Sequence, residues 1–327
     1  MSNKSEKKYT NEDLKEMQGW PLERKIQVSQ TRILEFGLKF DKQIYVSFSG
    51  GKDSTVLLDL VRRVFPDTPA VYVDTGLEYP EIRDFVRGID NVTWLKPRMN
   101  FRKVIETYGY PLISKESALY IYYARKAKER GDLRQYEYYV DGKRVSPKTG
   151  EQYTFAKLCK QARMILDSDI QVSNRCCEVM KKTPMHEYQK KTGRHPIVGV
   201  MAEESLMRRN AWLKTGCNTF KGKEPKSSPM SFWTEQDVLA YIKSYNLPHA
   251  SVYGEILQDE NGKYYTTGCR RTGCVFCGFG CHLEKEPNRF QRLKVTHPKV
   301  WEFCMKPWDK GGLGMREVLE YIGVKTE

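Results

Sequence analysis

The stretch QIYVSFSGGKDSTVLLDL, residues 43–60, constrains the fold more than any other part of the chain. Apolar and aromatic residues alternate loosely through Gln43–Phe48, as in a strand, and run into Ser49-Gly50-Gly51. Val56, Leu57, Leu60, Val61 and Val64 then recur at helical spacing. Two adjacent glycines between a strand and a helix let successive backbone N–H groups close on an anion at the helix start. The phosphate loop of nucleoside triphosphatases, G-x-x-x-x-G-K-[ST], is not matched, because Gly50 and Gly51 are adjacent. The dinucleotide fingerprint G-x-G-x-x-G is not matched either. Ser49, Ser54 and Thr55 supply hydroxyls and Lys52 a point charge. Asp53 suits the helix dipole but repels phosphate, so its role is to hold Mg²⁺ or to fix the turn.

Further strands are expected at Ala70–Val73 and Val92–Leu95, with a short helix at Pro80–Gly88 between them. The order strand, helix, strand, helix, strand predicts an α/β fold, a doubly wound parallel sheet with helices on both faces. The sheet resumes at His195–Val200, and Thr234 caps a helix within Ser231–Tyr245. Residues 1–20 are polar and expected to fray, and 1–40 form a helical lead-in. Residues 41–111 and 171–250 make the nucleotide-binding domain. Residues 112–170 are a mostly helical Tyr/Lys/Arg-rich insertion with a hairpin tip at Asp141–Gly150, and 251–327 form a Cys-rich, then helical, C-terminal segment.

Lys and Arg number 55 against 41 acidic residues, and the net charge of +14 suits an anionic partner. Within the insertion, Tyr120, Tyr122, Tyr123, Tyr136, Tyr138, Tyr139 and Tyr153 are interleaved with Lys and Arg. Such residues can stack on and neutralise a nucleic acid, or pack the insertion onto the main domain. No apolar run is long enough to cross a bilayer and MSNKSEKKYT is no signal peptide, so a cytoplasmic protein with no membrane partner is expected.

Nine cysteines in such a chain point away from a disulfide framework. Cys176 and Cys177 are adjacent, and Cys269, Cys274, Cys277 and Cys281 fall within thirteen residues, which points to a metal or an iron–sulfur cluster. Cys159, Cys217 and Cys304 stand alone and are expected to be buried. The C-terminal run Cys269, Cys274, Cys277 and Cys281 could bind zinc or a cluster by itself.

SFSGGKDST resembles the PP-loop of the ATP-pyrophosphatase superfamily. VDTGLEYPE (73–81), CCEVMKKTP (176–184), GVMAEESLMR (199–208), SPMSFWTEQDVLAYI (228–242) and TGCVFC (272–277) follow in the order of the phosphoadenylyl-sulfate reductase family. The resemblance implies that Ser47, Ser49, Gly50, Gly51, Lys52, Asp53, Ser54 and Thr55 bind an adenine nucleotide with Mg²⁺, Lys52 and Asp53 being catalytic. It adds Asp74, Thr75 and Gly76 after the second strand, Lys181 after the cysteine pair, and Ser205 and Arg208 in the anion-binding segment. It also implies a [4Fe–4S] cluster on Cys176, Cys177, Cys274 and Cys277, with zinc as the alternative metal.

Two positions depart from the family pattern. Met201 stands where the family carries an Arg, and the family's Glu-Cys-Gly motif has no match after Cys304. The expectation is therefore nucleotide-dependent sulfur chemistry beside the cluster, by adenylylation and thiolation if the acceptor is tRNA or DNA. The partners are then the nucleotide, a sulfur or electron donor and, where it oligomerises, a second copy of the chain. The alternatives are a thiol-dependent sulfonucleotide reductase, using Cys304 or an outside thiol, and a non-catalytic nucleotide sensor or nucleic-acid binder.

Overall fold

The computed structural model describes residues 8–146, 149–154, 157–222 and 224–327. They form two compact units. The first contains residues up to Asp74, Glu78–Lys96 and Thr183–Thr272; the second contains Thr75–Leu77, Pro97–Lys182 and Gly273–Glu327. Residues 251–272, grouped by sequence with the Cys-rich tail, fall in the first unit, whereas the insertion and the tail share the second.

The first unit is built on a six-stranded sheet. Its central strand β1 (Ile44–Phe48) pairs in parallel with β2 (Ala70–Val73), and β2 with β3 (Val92–Leu95). On its other side β1 pairs in parallel with the strand His195–Val198, followed by Lys226–Ser227 and the antiparallel Asn218–Thr219. Chain order thus reverses at β1, and an α/β sheet binds ligands at the carboxyl end of such a switch strand.

Strand alternation sorts the side chains between the two faces. Ile44, Val46 and Phe48 join a core with Ile33 and Phe36 of α2 (Leu22–Lys39), and Val56, Leu57, Leu60 and Val61 of α3 (Lys52–Val64). Val238, Leu239 and Ile242 of the helix Glu235–Ser244 complete this face, and Thr234 caps that helix by accepting from the Asp237 N–H. On the opposite face the Tyr45 ring meets Tyr188, and its hydroxyl accepts from Gln189 (2.8 Å), both on the helix Thr183–Thr192. Helices therefore cover both faces, as the element order predicts.

The polar start does not fray throughout. Asn11–Gln18 forms α1, held by a reciprocal Thr10–Asp13 cap and by burial of Leu14. Lys143–Val145 pairs with Gln152–Thr154 in the second unit, and of the tip expected at Asp141–Gly150 residues 147 and 148 lie outside the described residues. That unit is otherwise largely helical, and a two-residue parallel bridge joins Leu112–Ile113 to Gly278–Phe279. Cys217 and Cys304 are buried, but Cys159 is exposed, because it sits one residue before the helix Lys160–Leu166 rather than on its packed face. Among the described residues no helix is long and apolar enough to cross a membrane.

Candidate functional site

β1 ends at Phe48, and the chain turns through Ser49, Gly50 and Gly51 into α3. Gly50 lies in the left-handed region at φ 71°, and a Cβ there would come within 2.8 Å of methyl carbons of Ile82 and Val86. The turn is held by its own hydroxyls. Ser54 Oγ accepts from the Ser49 N–H (3.2 Å) and lies 3.0 Å from Ser49 Oγ. Ser54 and Thr55 also donate to the Gly51 carbonyl, at 2.9 and 3.1 Å. The Lys52 N–H donates to the Tyr253 hydroxyl (3.2 Å), which lies 2.7 Å from Thr272 Oγ1. Burial pushes the Tyr253 phenol up to about 12, so it meets the turn as a neutral hydroxyl.

Lys52 is 2% exposed and lies between two carboxylates, 3.0 Å from Asp53 and 3.5 Å from Glu235. Arg270 holds the other Glu235 oxygen at 2.5 Å, and the Glu235 N–H donates to Glu203 (2.6 Å). Burial raises the Glu235 carboxyl, but the Arg270 hydrogen bond and the charges of Lys52, Arg270 and Arg271 outweigh it and hold the group below the ordinary glutamate value. Glu204 pairs with both Arg208 and Arg271. Burial and the charge of Arg271 pull the Arg208 guanidinium down, while Asp53 acts on it in the opposite sense. The carboxyl end of β1 is therefore ringed by Lys52, Arg208, Arg270 and Arg271, interleaved with acids.

The structure treats the other candidates individually. Ser47 lies within β1, opposite Val71 and Val198. Asp74 pairs with Arg83 at 2.6 Å. Ser205 caps the helix Leu206–Thr215 by accepting from the Arg208 N–H. Met201 is 0% exposed in the sheet core, so this position offers the site no side-chain charge. Thr75 and Gly76 belong to the second unit, where the Thr75 hydroxyl accepts from the Leu77 N–H. Glu235, Tyr253, Arg270, Arg271 and Thr272 escape the sequence reading. The signal was the double arginine of GCRRTGC, just ahead of the TGCVFC block.

The second unit brings Cys176, Cys177, Cys274 and Cys277 together. Burial pushes the Cys176 thiol up to about 12, and the charges of Cys177, Cys274 and Cys277 add to this, opposed by Lys181. Lys115 and Arg289 act on Cys277, and Arg289 also donates to its carbonyl (2.9 Å). Cys281 lies near Cys277, but its thiol donates to the Gly278 carbonyl at 2.9 Å. Cys269 lies in the first unit, with its N–H on the Val252 carbonyl. Among the described residues no three His, Cys, Asp or Glu side chains are arranged round a single metal ion. Four thiolates are the ligand set of a [4Fe–4S] cluster, and Cys176, Cys177, Cys274 and Cys277, acted on by Lys181, Lys115 and Arg289, are the residues that would hold one. Cys304 is 0% exposed and burial pushes its thiol up, which leaves little thiolate to act as a nucleophile.

A mostly parallel sheet with a glycine turn at the carboxyl end of its switch strand defines the class, an α/β protein of doubly wound architecture. The chain belongs to the phosphoadenosine phosphosulfate reductase domain family, whose sequence profile matches residues 43–148 and 115–278. It is similar to an uncharacterised protein of Methanocaldococcus jannaschii, 33% identical over 289 residues, covering 84% of this chain and 50% of the relative. A second uncharacterised protein of that organism is 22% identical, with 81% of this chain and 41% of the relative covered. The chain thus spans half or less of the length of these two relatives. The adenosine 5′-phosphosulfate reductase of Geobacillus thermodenitrificans is 26% identical, with 71% of this chain and 73% of the reductase covered. Among solved structures, phosphoadenylyl-sulfate reductase from Candida auris in a phosphate complex is 13% identical at a TM-score of 0.39, with 79% of this chain and 99% of that chain covered.

Proposed function

We propose that the chain is an enzyme that binds an adenine nucleotide at the glycine turn and carries out sulfur chemistry, with an iron–sulfur cluster held by Cys176, Cys177, Cys274 and Cys277. The observation that carries this reading is the buried Lys52 at the start of α3, directly after a turn in which hydroxyls accept from the Ser49, Gly51 and Lys52 N–H groups. Hydroxyls are replaceable partners, so a phosphate oxygen can take over the N–H groups as charge-assisted bonds. In the adenylylating form of the reaction an acceptor oxygen attacks the α-phosphorus. The bond to the bridging oxygen breaks, pyrophosphate leaves, and the acceptor's proton passes to solvent or a base. The Lys52 ammonium and the turn N–H groups neutralise the charge that gathers on the phosphate oxygens. Asp53 then has two tasks, orienting Lys52 and offering an oxygen to Mg²⁺. The cluster, when bound, supplies electrons or sulfur. On the net charge of +14 a nucleic acid, tRNA or DNA, is assigned as acceptor.

Anaerobically purified protein is expected to release pyrophosphate from Mg·ATP, with stimulation by the acceptor nucleic acid. A second reading, sulfonucleotide reduction with an outside thiol, is favoured by the Geobacillus reductase covering 71% of the chain. Sulfite release from adenylyl sulfate and a thiol, with no pyrophosphate from ATP, would replace the first reading by the second.

The cysteine assignment has its own test. Cys176→Ser and Cys277→Ser are expected to lose most of the iron and the visible absorbance, whereas Cys281→Ser and Cys269→Ser retain both. Colourless wild-type protein loaded with zinc would end the cluster assignment.

A further inference from the structure

Five tyrosines of the insertion, Tyr120, Tyr122, Tyr123, Tyr138 and Tyr139, are linked ring to ring in the second unit. On the helix Lys115–Glu129 the apolar residues Ala118, Ile121, Ala124 and Ala127 are buried, which turns Tyr122 and Tyr123 outward, 53% and 41% exposed. Their rings touch at 5.4 Å. Tyr123 stacks on Tyr139 of the helix Leu133–Val140 at 5.1 Å and 23°, and Tyr139 meets Tyr138 at 4.9 Å and Tyr120 at 5.6 Å. The Arg144 guanidinium lies 4.4 Å from the centre of the Tyr138 ring, and the exposed Tyr153 sits directly across the hairpin from Arg144. The charges of Arg130 and Arg144 both reach Tyr139.

Burying these rings would be favourable, so a set of them left in solvent marks a surface that meets a partner. On the same two-helix segment, between residues 126 and 137, the exposed Lys126, Lys128, Arg130 and Arg134 outnumber the exposed acids, Glu129 and Glu137, which pair with Lys126 and Lys143, so the face suits an anionic partner. Linked phenol faces among cations match a strand whose bases are unpaired, since base–aromatic stacking needs a base face that a duplex conceals. We propose that this tyrosine face binds single-stranded nucleic acid, with Tyr122 and Tyr123 stacking on bases and Arg130 and Arg144 meeting phosphates. It deepens the acceptor assignment above and rests on it only for the purpose of binding; the binding itself needs no nucleotide turnover.

The test is fluorescence anisotropy of the full chain, without ATP, on labelled RNA and DNA strands of about 20 nucleotides and on the matching duplexes. Single strands are expected to bind more tightly than duplexes, with affinity falling steeply between about 50 and 200 mM salt. The double variant Tyr122→Ala/Tyr123→Ala is expected to bind at least about tenfold more weakly with an unchanged salt slope, whereas Tyr123→Phe binds as wild type does. Arg130→Ala/Arg144→Ala is expected to flatten the salt slope. Unchanged melting temperatures and an unchanged thermal shift with adenine nucleotide show that the tyrosine variants are folded. Absence of single-strand binding, equal binding of duplex, or indifference to loss of both tyrosines overturns the proposal, and the first outcome leaves the face to a protein partner. Pyrophosphate release is measured separately, so failure of the nucleotide reading leaves this result standing.

Discussion

Gly50→Ala is expected to destabilise the protein by about 3 kcal/mol and to abolish its thermal response to adenine nucleotide. Two costs add. At φ 71° an L residue is in the left-handed region, which costs roughly 1 kcal/mol relative to glycine. The new methyl would also lie 2.7 Å from a Val86 methyl and 2.8 Å from an Ile82 methyl, both on α4 (Pro80–Arg87). Each is well inside contact distance, and forcing a methyl into a packed site costs roughly 1–3 kcal/mol. Neither neighbour is a flexible chain end, so either α4 or the turn must move, and a shifted turn no longer aims its N–H groups. Gly88→Ala at the end of the same helix is the control. Its φ is −83° and the nearest atom to a new Cβ, the Phe85 carbonyl oxygen, is 3.5 Å away, so its stability should stay within about 0.5 kcal/mol of wild type. Urea unfolding of both variants at constant m reads the difference. A Gly50→Ala midpoint equal to that of wild type would show that the turn tolerates a side chain.

The parts of the fold that were legible are those fixed by neighbours in sequence. β1, α3 and β2 follow from alternation and helical spacing within a few residues, and the Thr234 cap from a three-residue pattern. α1 was missed because its eight residues bury only Leu14, so no apolar period marks it, and the Thr10–Asp13 cap does the rest. The pairing of charges was not legible either. Lys52 meets Glu235 and Tyr253 only because the strand order of the sheet brings distant segments together, and Asp74 meets Arg83 where α4 follows the end of β2. The same reason hides the fate of Met201. Its departure from an Arg pattern is visible in the sequence, but only packing shows that the side chain points into the core. The cysteines show the same contrast: two pairs far apart in sequence meet through chain topology, while Cys281, close to Cys277 in sequence, donates its thiol to the Gly278 carbonyl.

Lys52→Met should cost nucleotide-dependent turnover about a hundredfold or more, because it removes the one buried ammonium at the turn while keeping its bulk. It also breaks a buried ion pair. Glu235 Oε1 is buried with no hydrogen-bond partner and lies 3.5 Å from the Lys52 ammonium, so without Lys52 only the Arg270 contact on the other oxygen remains. Breaking such a pair costs roughly 3 kcal/mol at neutral pH. The pH dependence carries a definite sign. In the wild type Glu235 is held below the ordinary glutamate value, so its contribution is fully present above about pH 4.3 and is lost as pH falls through its lower folded value. Without Lys52 that depression weakens and less stability remains to be lost in acid. The difference in melting temperature between wild type and Lys52→Met is therefore expected to be widest near neutrality and to narrow as pH falls below the ordinary glutamate value of about 4.3. Lys52→Met/Glu235→Gln separates structure from chemistry. Neutralising the stranded carboxylate should restore most of the stability, and turnover should stay at the level of the single variant. If the double variant remains as unstable as Lys52→Met, the Glu235 pair is not the source of the loss. If it regains turnover, Lys52 acts only by holding the site together and the charge it presents to phosphate is not what the reaction uses.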